Sequence, residues 1–218
     1  MQLLGIQFDV IVLSEIWRSN IDFYCNILPD YSFHYALPSR GTVGGVGIYV
    51  SNAFCCTKNI SYSVDYTVRV ENIWLNLQKN QEKFIIGGIY RHPGHGIDEF
   101  TKELEKRLSA IASQSSPCII AGDINIDLSK SSTCSKTNEY LSALLINNFF
   151  PTIIMPTRIT PHTATLIDHI YYYEGRGVTR GNLEVYSGNF VSDLTDHLPN
   201  YMLLVNKKKL RPRSKDLT

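Results

Sequence analysis

No stretch of this 218-residue chain approaches the ~18 consecutive apolar residues of a membrane span. Nor does it open on a basic segment leading into a long apolar run, because Asp9 interrupts the first hydrophobic stretch early. Cysteine is sparse and poorly arranged for cross-linking. There are five, an odd number, with Cys55 and Cys56 adjacent and no C-x-x-C anywhere. That argues against a disulfide framework and against a zinc ribbon. These absences point to an intracellular, reducing setting with no membrane association. Internal repeats are absent, and no long linker divides the chain before residue 206. Excess charge is lacking as well: the formal net charge is +1. It is unevenly spread, since residues 207–218 carry Lys207, Lys208, Lys209, Arg211, Arg213 and Lys215 against the single acid Asp216. Without that tail, fifteen basic residues face nineteen acidic ones, leaving a body at about −4. Such a body does not grip nucleic acid by bulk attraction, so any phosphate it handles calls for local arginines or a metal ion.

What the chain does have is short apolar runs rich in β-branched and aromatic residues. They occupy 9–14, 46–51, 72–78, 84–90, 118–121, 166–173, 183–187 and 201–205, and their lengths suit strands. The thirteen tyrosines lean the same way. In 72–78, Ile73, Leu75 and Leu77 alternate with polar residues, the pattern of a half-buried strand. The runs 84–90 and 118–121 are almost wholly apolar, as in strands covered on both faces. Two helices are expected. One lies over 97–114, where Ile97, Phe100, Leu104, Leu108 and Ile111 recur at spacings of three and four, and one over 137–148. The glycine-rich 41–47 reads as a hairpin entry, because it lacks the strand-then-helix setting of a phosphate-cradling loop. These patterns predict one mixed α/β domain over 1–206 and a basic tail or linker over 207–218.

Several polar residues sit at the ends of these runs. The strand at 118–121 leads straight into Gly122-Asp123-Ile124-Asn125. If the chain stays extended, Asp123 and Asn125 face one site, the carboxylate able to take a proton or approach a metal, the amide able to donate to a phosphate oxygen. The plain alternative is a turn, which favours the same residues. Asp196-His197 precedes the last strand, and a histidine beside a phosphate serves as base or as cation. Asp168 lies inside an apolar run, where a carboxylate is costly unless paired; it could orient the His197 ring or simply face solvent. Glu15 follows the first strand and could bind Mg²⁺, or be an exposed acid. Tyr90 and Arg91 follow the strand at 84–90, the tyrosine able to hydrogen-bond a phosphate and the arginine to clamp one. His92 and His95 read as part of a loop rather than a zinc site, since no cysteine or carboxylate set joins them.

In order, the chain carries LSE-x-W at 13–17, GGVGIYVS at 44–51, IYR-x-P at 89–93, GD-x-N at 122–125, PTRIT…TATLIDHI at 156–170 and SD-x-x-DHLP at 192–199. The series resembles the endonuclease/exonuclease/phosphatase superfamily, the DNase I-like proteins. The phrases PTRIT, TLID-x-I and SD-x-x-DHLP look like the endonuclease domain of LINE-type non-LTR retrotransposons. The resemblance implies a four-layer α/β/β/α sandwich of two packed mixed β-sheets flanked by helices. It implies Mg²⁺ or Mn²⁺ and hydrolysis of a DNA phosphodiester, in a monomer acting in the nucleus and joined in the parent element to a C-terminal reverse transcriptase. Carried over, Glu15 is a metal ligand and Asp196 lies near the metal. Asp123 orients or deprotonates the attacking water. Asn125 holds the scissile phosphate, His197 contacts it with Asp168 as orienting partner, and Tyr90 lines the site. Two departures stand out. Thr195 occupies a position where the family often has Ser. The family also has a first strand ending in Asn about 25–35 residues before Glu15, roughly one βα unit. Only 14 residues precede Glu15 here, so the expectation is a chain that begins inside the first helix and leaves a sheet edge uncovered. A remnant without catalysis, and a phosphomonoesterase or lipid phosphodiesterase, are the alternative readings.

Overall fold

The computed structural model describes residues 7–39, 41–63, 69–177 and 183–206; the basic tail lies outside them. Along the chain come β1 (Val10–Ser14), α1 (Ile21–Asn26), β2 (Tyr31–Ala36), β3 (Val46–Ser51), β4 (Cys55–Lys58), β5 (Val70–Lys79) and β6 (Glu82–Arg91). Then follow α2 (Ile97–Ala112), β7 (Cys118–Asp123), α3 (Ser135–Ile146), β8 (Phe150–Pro151), β9 (Arg158–Ile159) and β10 (Ala164–Thr165). The last elements are β11 (Asp168–Tyr173), β12 (Leu183–Asn189) and β13 (Asn200–Asn206). A six-stranded sheet has the order β4-β5-β6-β7-β11-β8, and a three-stranded sheet the order β1-β3-β2; β9-β10 and β12-β13 form two-stranded ribbons. The large sheet is mixed. Only β6 and β7 run parallel, the pair whose connection contains α2, while its other pairings are antiparallel.

Side-chain alternation builds the layers. On β5, Ile73, Leu75 and Leu77 point to one face with Ile86 and Tyr90 of β6, and there they meet Val46, Ile48 and Val50 of β3. This is the sheet-on-sheet core, and each aliphatic side chain so enclosed contributes about 1.5–3 kcal/mol. The residues between them point the other way. Trp74, Ile85 and Ile89 pack with Phe100, Leu104, Leu108 and Ile111 of α2 and with Tyr140 and Leu144 of α3. Hence the apolar stripe read at 97–114 is the face of α2 that closes this second core. On the far side of the three-stranded sheet, Tyr49 donates to the Tyr24 carbonyl of α1, and the Tyr24 and Phe33 rings lie 5.8 Å apart. The order is therefore helix, sheet, sheet, helices, the DNase I-like sandwich.

The elements that the sequence pattern did not yield are α1, β2, β4 and the short β8, β9 and β10. All are six residues or fewer, and β2 is only half-buried and β4 mostly exposed, so no apolar run marks them. The expected hairpin entry at 41–47 does lead into β3, which pairs antiparallel with β2. Among the described residues β1 is paired on one side only, with β3, and β13 on one side only, with β12. No helix among them is long and apolar enough to cross a membrane.

Candidate active site

The site begins where β7 ends. Its last residue, Asp123, is 5% exposed and lies in register with Asp168, the first residue of β11. Adjacent antiparallel strands thus bring two carboxylates together at one end of the large sheet. The Asp123 backbone N–H donates to Ser14 Oγ at 3.1 Å, tying the end of β7 to the end of β1 in the other sheet. Its Oδ1 accepts from the Asn125 N–H at 3.0 Å. Asn125 turns in the left-handed region, at φ 52°, and its side-chain amide donates to the Arg91 carbonyl at 2.9 Å. Extension from 123 to 125 is therefore broken. The two side chains are neighbours through a turn rather than through strand alternation.

The third member arrives from the segment before β13. His197 Nδ1 lies 2.9 Å from Asp168 Oδ2 and 3.1 Å from Oδ1. Thr157, fully buried, donates its hydroxyl to Asp168 Oδ2 at 2.8 Å and accepts the backbone N–H groups of Ile167 and Asp168. Asp168 is thus fixed on two sides before it meets the ring. Candidate ligand atoms of Asp123, Asp168 and His197 all lie within 4.8 Å of one another. Glu15 reaches the same region at the end of β1, where its Oε1 accepts from the Tyr90 hydroxyl at 2.7 Å. Tyr90 itself is 1% exposed, on the sandwich face of β6.

Two residues expected at the site stand elsewhere. Arg91 follows Tyr90 and so projects to the opposite, helix-covered face. It is 2% exposed, donates to the carbonyls of His92 and His95, and lies 5.9 Å over the Phe100 ring. Its guanidinium braces the loop before α2 and does not join the carboxylate cluster. Asp196 precedes His197 and likewise turns away: Arg158 Nε donates to its Oδ2 at 2.7 Å on the exposed surface. That pairing holds the Asp196 carboxyl below the usual range. Conversely, Thr157 and Ser14 carry bonds that no role was assigned to in the sequence. Both lie inside the motifs LSE-x-W and PTRIT, where a small hydroxyl side chain carries no signal of its own.

Electrostatically the cluster is strained toward protons. Burial, then the charge of Asp168, pushes Asp123 up to about 7, against a partial lowering by His197. The hydrogen bond from its ring to the Asp168 carboxylate raises His197, with desolvation opposing it. Burial and the bond to Glu15 raise Tyr90 far above its ordinary value, so it stays a neutral donor. Crowded carboxylate oxygens and one imidazole nitrogen are a donor set that suits a divalent cation, which would relieve the repulsion that lifts Asp123.

The sequence pattern of the endonuclease/exonuclease/phosphatase family matches residues 2–197. The chain belongs to the endonuclease/exonuclease/phosphatase family. Its members are hydrolases, generally dependent on a divalent metal. Among solved structures, the chain is similar to a humanized D. rerio TDP2 carrying 14 mutations, with TM-score 0.68 and 14% identity over 94% of this chain and 88% of that one. It is similar to the endonuclease domain of TRAS1, a telomere-specific non-LTR retrotransposon, with TM-score 0.67 and 9% identity over 91% and 85%. A mannosyl-6-phosphatase of Bacteroides thetaiotaomicron gives TM-score 0.62 and 14% identity over 94% and 87%. At these identities the likeness is one of fold. No curated protein matches the sequence. In this chain Asp123, Asp168, His197, Asn125, Tyr90 and Glu15 gather at one end of the sandwich.

Proposed function

We propose that this chain is a divalent-metal-dependent phosphodiesterase that nicks DNA, descended from the endonuclease of a non-LTR retrotransposon. The observation that carries the chemistry is the Asp168–His197 pair set beside the buried, proton-seeking Asp123. Support for DNA as substrate comes from the PTRIT…TATLIDHI and SD-x-x-DHLP phrases. The exposed apolar side chains Val191 and Leu194 precede His197 in the chain, and exposed Ile159 is joined to the residue before it through its backbone N–H to the Asp196 carbonyl, an apolar surface beside the histidine that suits a large substrate. In this reading the nuclear setting, the monomeric state and the C-terminal reverse transcriptase partner follow from the same descent.

Asp123, buried beside Asp168 and His197, takes the proton from the attacking water. Asn125 and His197 bind the non-bridging phosphate oxygens, the histidine kept in its orientation by Asp168 and, through it, by Thr157. Tyr90 remains protonated and donates to Glu15, fixing that carboxylate. Mg²⁺ or Mn²⁺ would be held by Glu15 with the carboxylates of the cluster, and would supply the positive charge that stabilises the developing phosphorane and leaving oxygen.

Supercoiled plasmid is the direct test. The wild-type protein should open it to the nicked circle with Mg²⁺ and not with EDTA. His197→Ala and Asp123→Ala should each lower the rate by about 10²–10⁴-fold. Equal rates in those variants would refute the site. Release of inorganic phosphate from small esters in place of nicking would move the substrate to phosphomonoesters.

A further inference from the structure

We infer that Glu71 and His92 form a buried positioning pair that sets the pose of Glu15 for the metal ion; this rests on the metal-holding role proposed above for Glu15. Glu71 stands on β5 in register with Tyr90 and is only 7% exposed. A carboxylate so enclosed is costly unless bonded. Its Oε2 lies 2.9 Å from His92 Nε2 and accepts the Gly45 N–H at 3.1 Å.

Two routes lead from this pair to Glu15. Along the first, the Gly45 carbonyl accepts the N–H of Ile16, the residue after Glu15, at 3.4 Å. Glu15 sits at φ 58°, a left-handed conformation that a glutamate keeps only when its surroundings impose it. Along the second, the His92 ring packs edge-on against Tyr90 with centroids 4.7 Å apart, and the Tyr90 hydroxyl donates to Glu15 Oε1. Backbone and carboxylate of Glu15 are thus both referred back to one buried pair.

The glycine run gains a reason from the same geometry. A Cβ on Gly44 would lie 2.6 Å from His92 Nε2 and 3.0 Å from Glu71 Oε2, and one on Gly45 would lie 2.6 Å from the Ile16 carbonyl oxygen. Both residues have positive φ, 117° and 100°. The loop before β3 must therefore be bare backbone to press against the pair and pass its position on to Ile16 and Glu15.

The test is Mn²⁺ affinity by electron paramagnetic resonance, with thermal unfolding in parallel, on the full chain and four variants. Wild type should bind Mn²⁺, and Glu15→Ala should weaken binding by about tenfold or more. Glu71→Ala should weaken it by about 10–100-fold, as expected when a residue orienting a metal ligand is removed. Glu71→Gln should restore it to within about threefold, since one amide oxygen can still accept from both Gly45 and His92. A residue of merely structural importance would lower the melting temperature without moving the affinity. If Glu71→Ala does not fold, His92→Phe decides, because it keeps the ring on Tyr90 and removes only the bond to Glu71. Its Mn²⁺ affinity should fall by about threefold or more. No Mn²⁺ binding by wild type, or none lost in Glu15→Ala, overturns the metal-site reading itself. Loss in Glu15→Ala with wild-type affinity in Glu71→Ala, or in His92→Phe where that variant decides, overturns the positioning pair alone.

Discussion

The proton affinity of Asp123 has a consequence for stability. Its carboxyl is moved from 3.8 up to about 7 by burial and by Asp168. The folded protein therefore holds a proton there across a pH range in which the unfolded chain has released it. Stability contributed by the group falls as pH rises through that interval. His197 acts with the same sign: its raised value gives stability that is present below 6.5 and lost as pH climbs through the folded-state value. In EDTA, the melting temperature of Asp123→Asn should therefore exceed that of wild type at about pH 8, by about 1–2 kcal/mol of stability, and the gap should close near pH 4. Nicking should be lost in the same variant. A lower melting temperature for Asp123→Asn at alkaline pH would mean that the carboxylate is satisfied in the folded state. Thr157→Val should act oppositely. It removes the acceptor of two backbone N–H groups and the donor to Asp168 at a fully buried position. About 2–4 kcal/mol should be lost in urea unfolding, with the His197 orientation disturbed. At this scale the sequence marks motifs that the fold brings together, and not which residue of each faces the carboxylate cluster. Asp196 and His197, or Tyr90 and Arg91, are equally attractive as chemistry. Chain alternation then sends one of each pair inward and the other to Arg158 or to Phe100.

Between elements, the site depends on how closely β6 and β7 approach. Their parallel ladder runs from Ile85↔Cys118 to Gly88↔Ala121, and Gly122 follows at φ 145°. A Cβ on Gly122 would lie 1.9 Å from the Ile89 carbonyl oxygen. Backbone therefore presses on backbone at the point where β6 delivers Tyr90 and β7 delivers Asp123. Gly122→Ala should cost about 3 kcal/mol or more by chemical denaturation, because neither strand can yield without moving a core layer. Its nicking rate should fall along with its stability, whereas a normally stable, active Gly122→Ala would show that the strands have slack. The strands with a fully enclosed face, β3, β5, β6 and β7, announce themselves in sequence because burial demands apolar residues. The half-exposed β2 and β4 and the six-residue α1 are set by pairing and packing partners far away in the chain, which no local pattern records.

For the molecule as a whole, the site straddles two bodies of different solidity. Asp123 and Asp168 belong to the six-stranded sheet, held between two apolar cores. Glu15 and His197 belong to β1 and to the approach to β13, strands paired on one side only among the described residues, whose apolar side chains are just half-buried. The β12-β13 ribbon meets the rest through Ser187 to the Thr152 carbonyl, Asn189 to the Pro156 carbonyl, Asn200 to the Asp168 carbonyl and Met202 against the large core, with the Phe8–Phe190 contact just beyond β12. Backbone amides of β5, β6 and β7 should accordingly exchange slowest, and those of β12 and β13 at least ~100-fold faster, because local opening there breaks few buried contacts. A divalent ion that Glu15 and the carboxylates of the large sheet would hold together would favour the closed arrangement over the opened one. It should then slow exchange in β1 and around His197 while leaving β5 and β6 unchanged. Hydrogen-exchange mass spectrometry with and without Mg²⁺ reads this directly. Uniform protection of every strand by the ion, or none in β1, would mean that the metal does not join the two bodies.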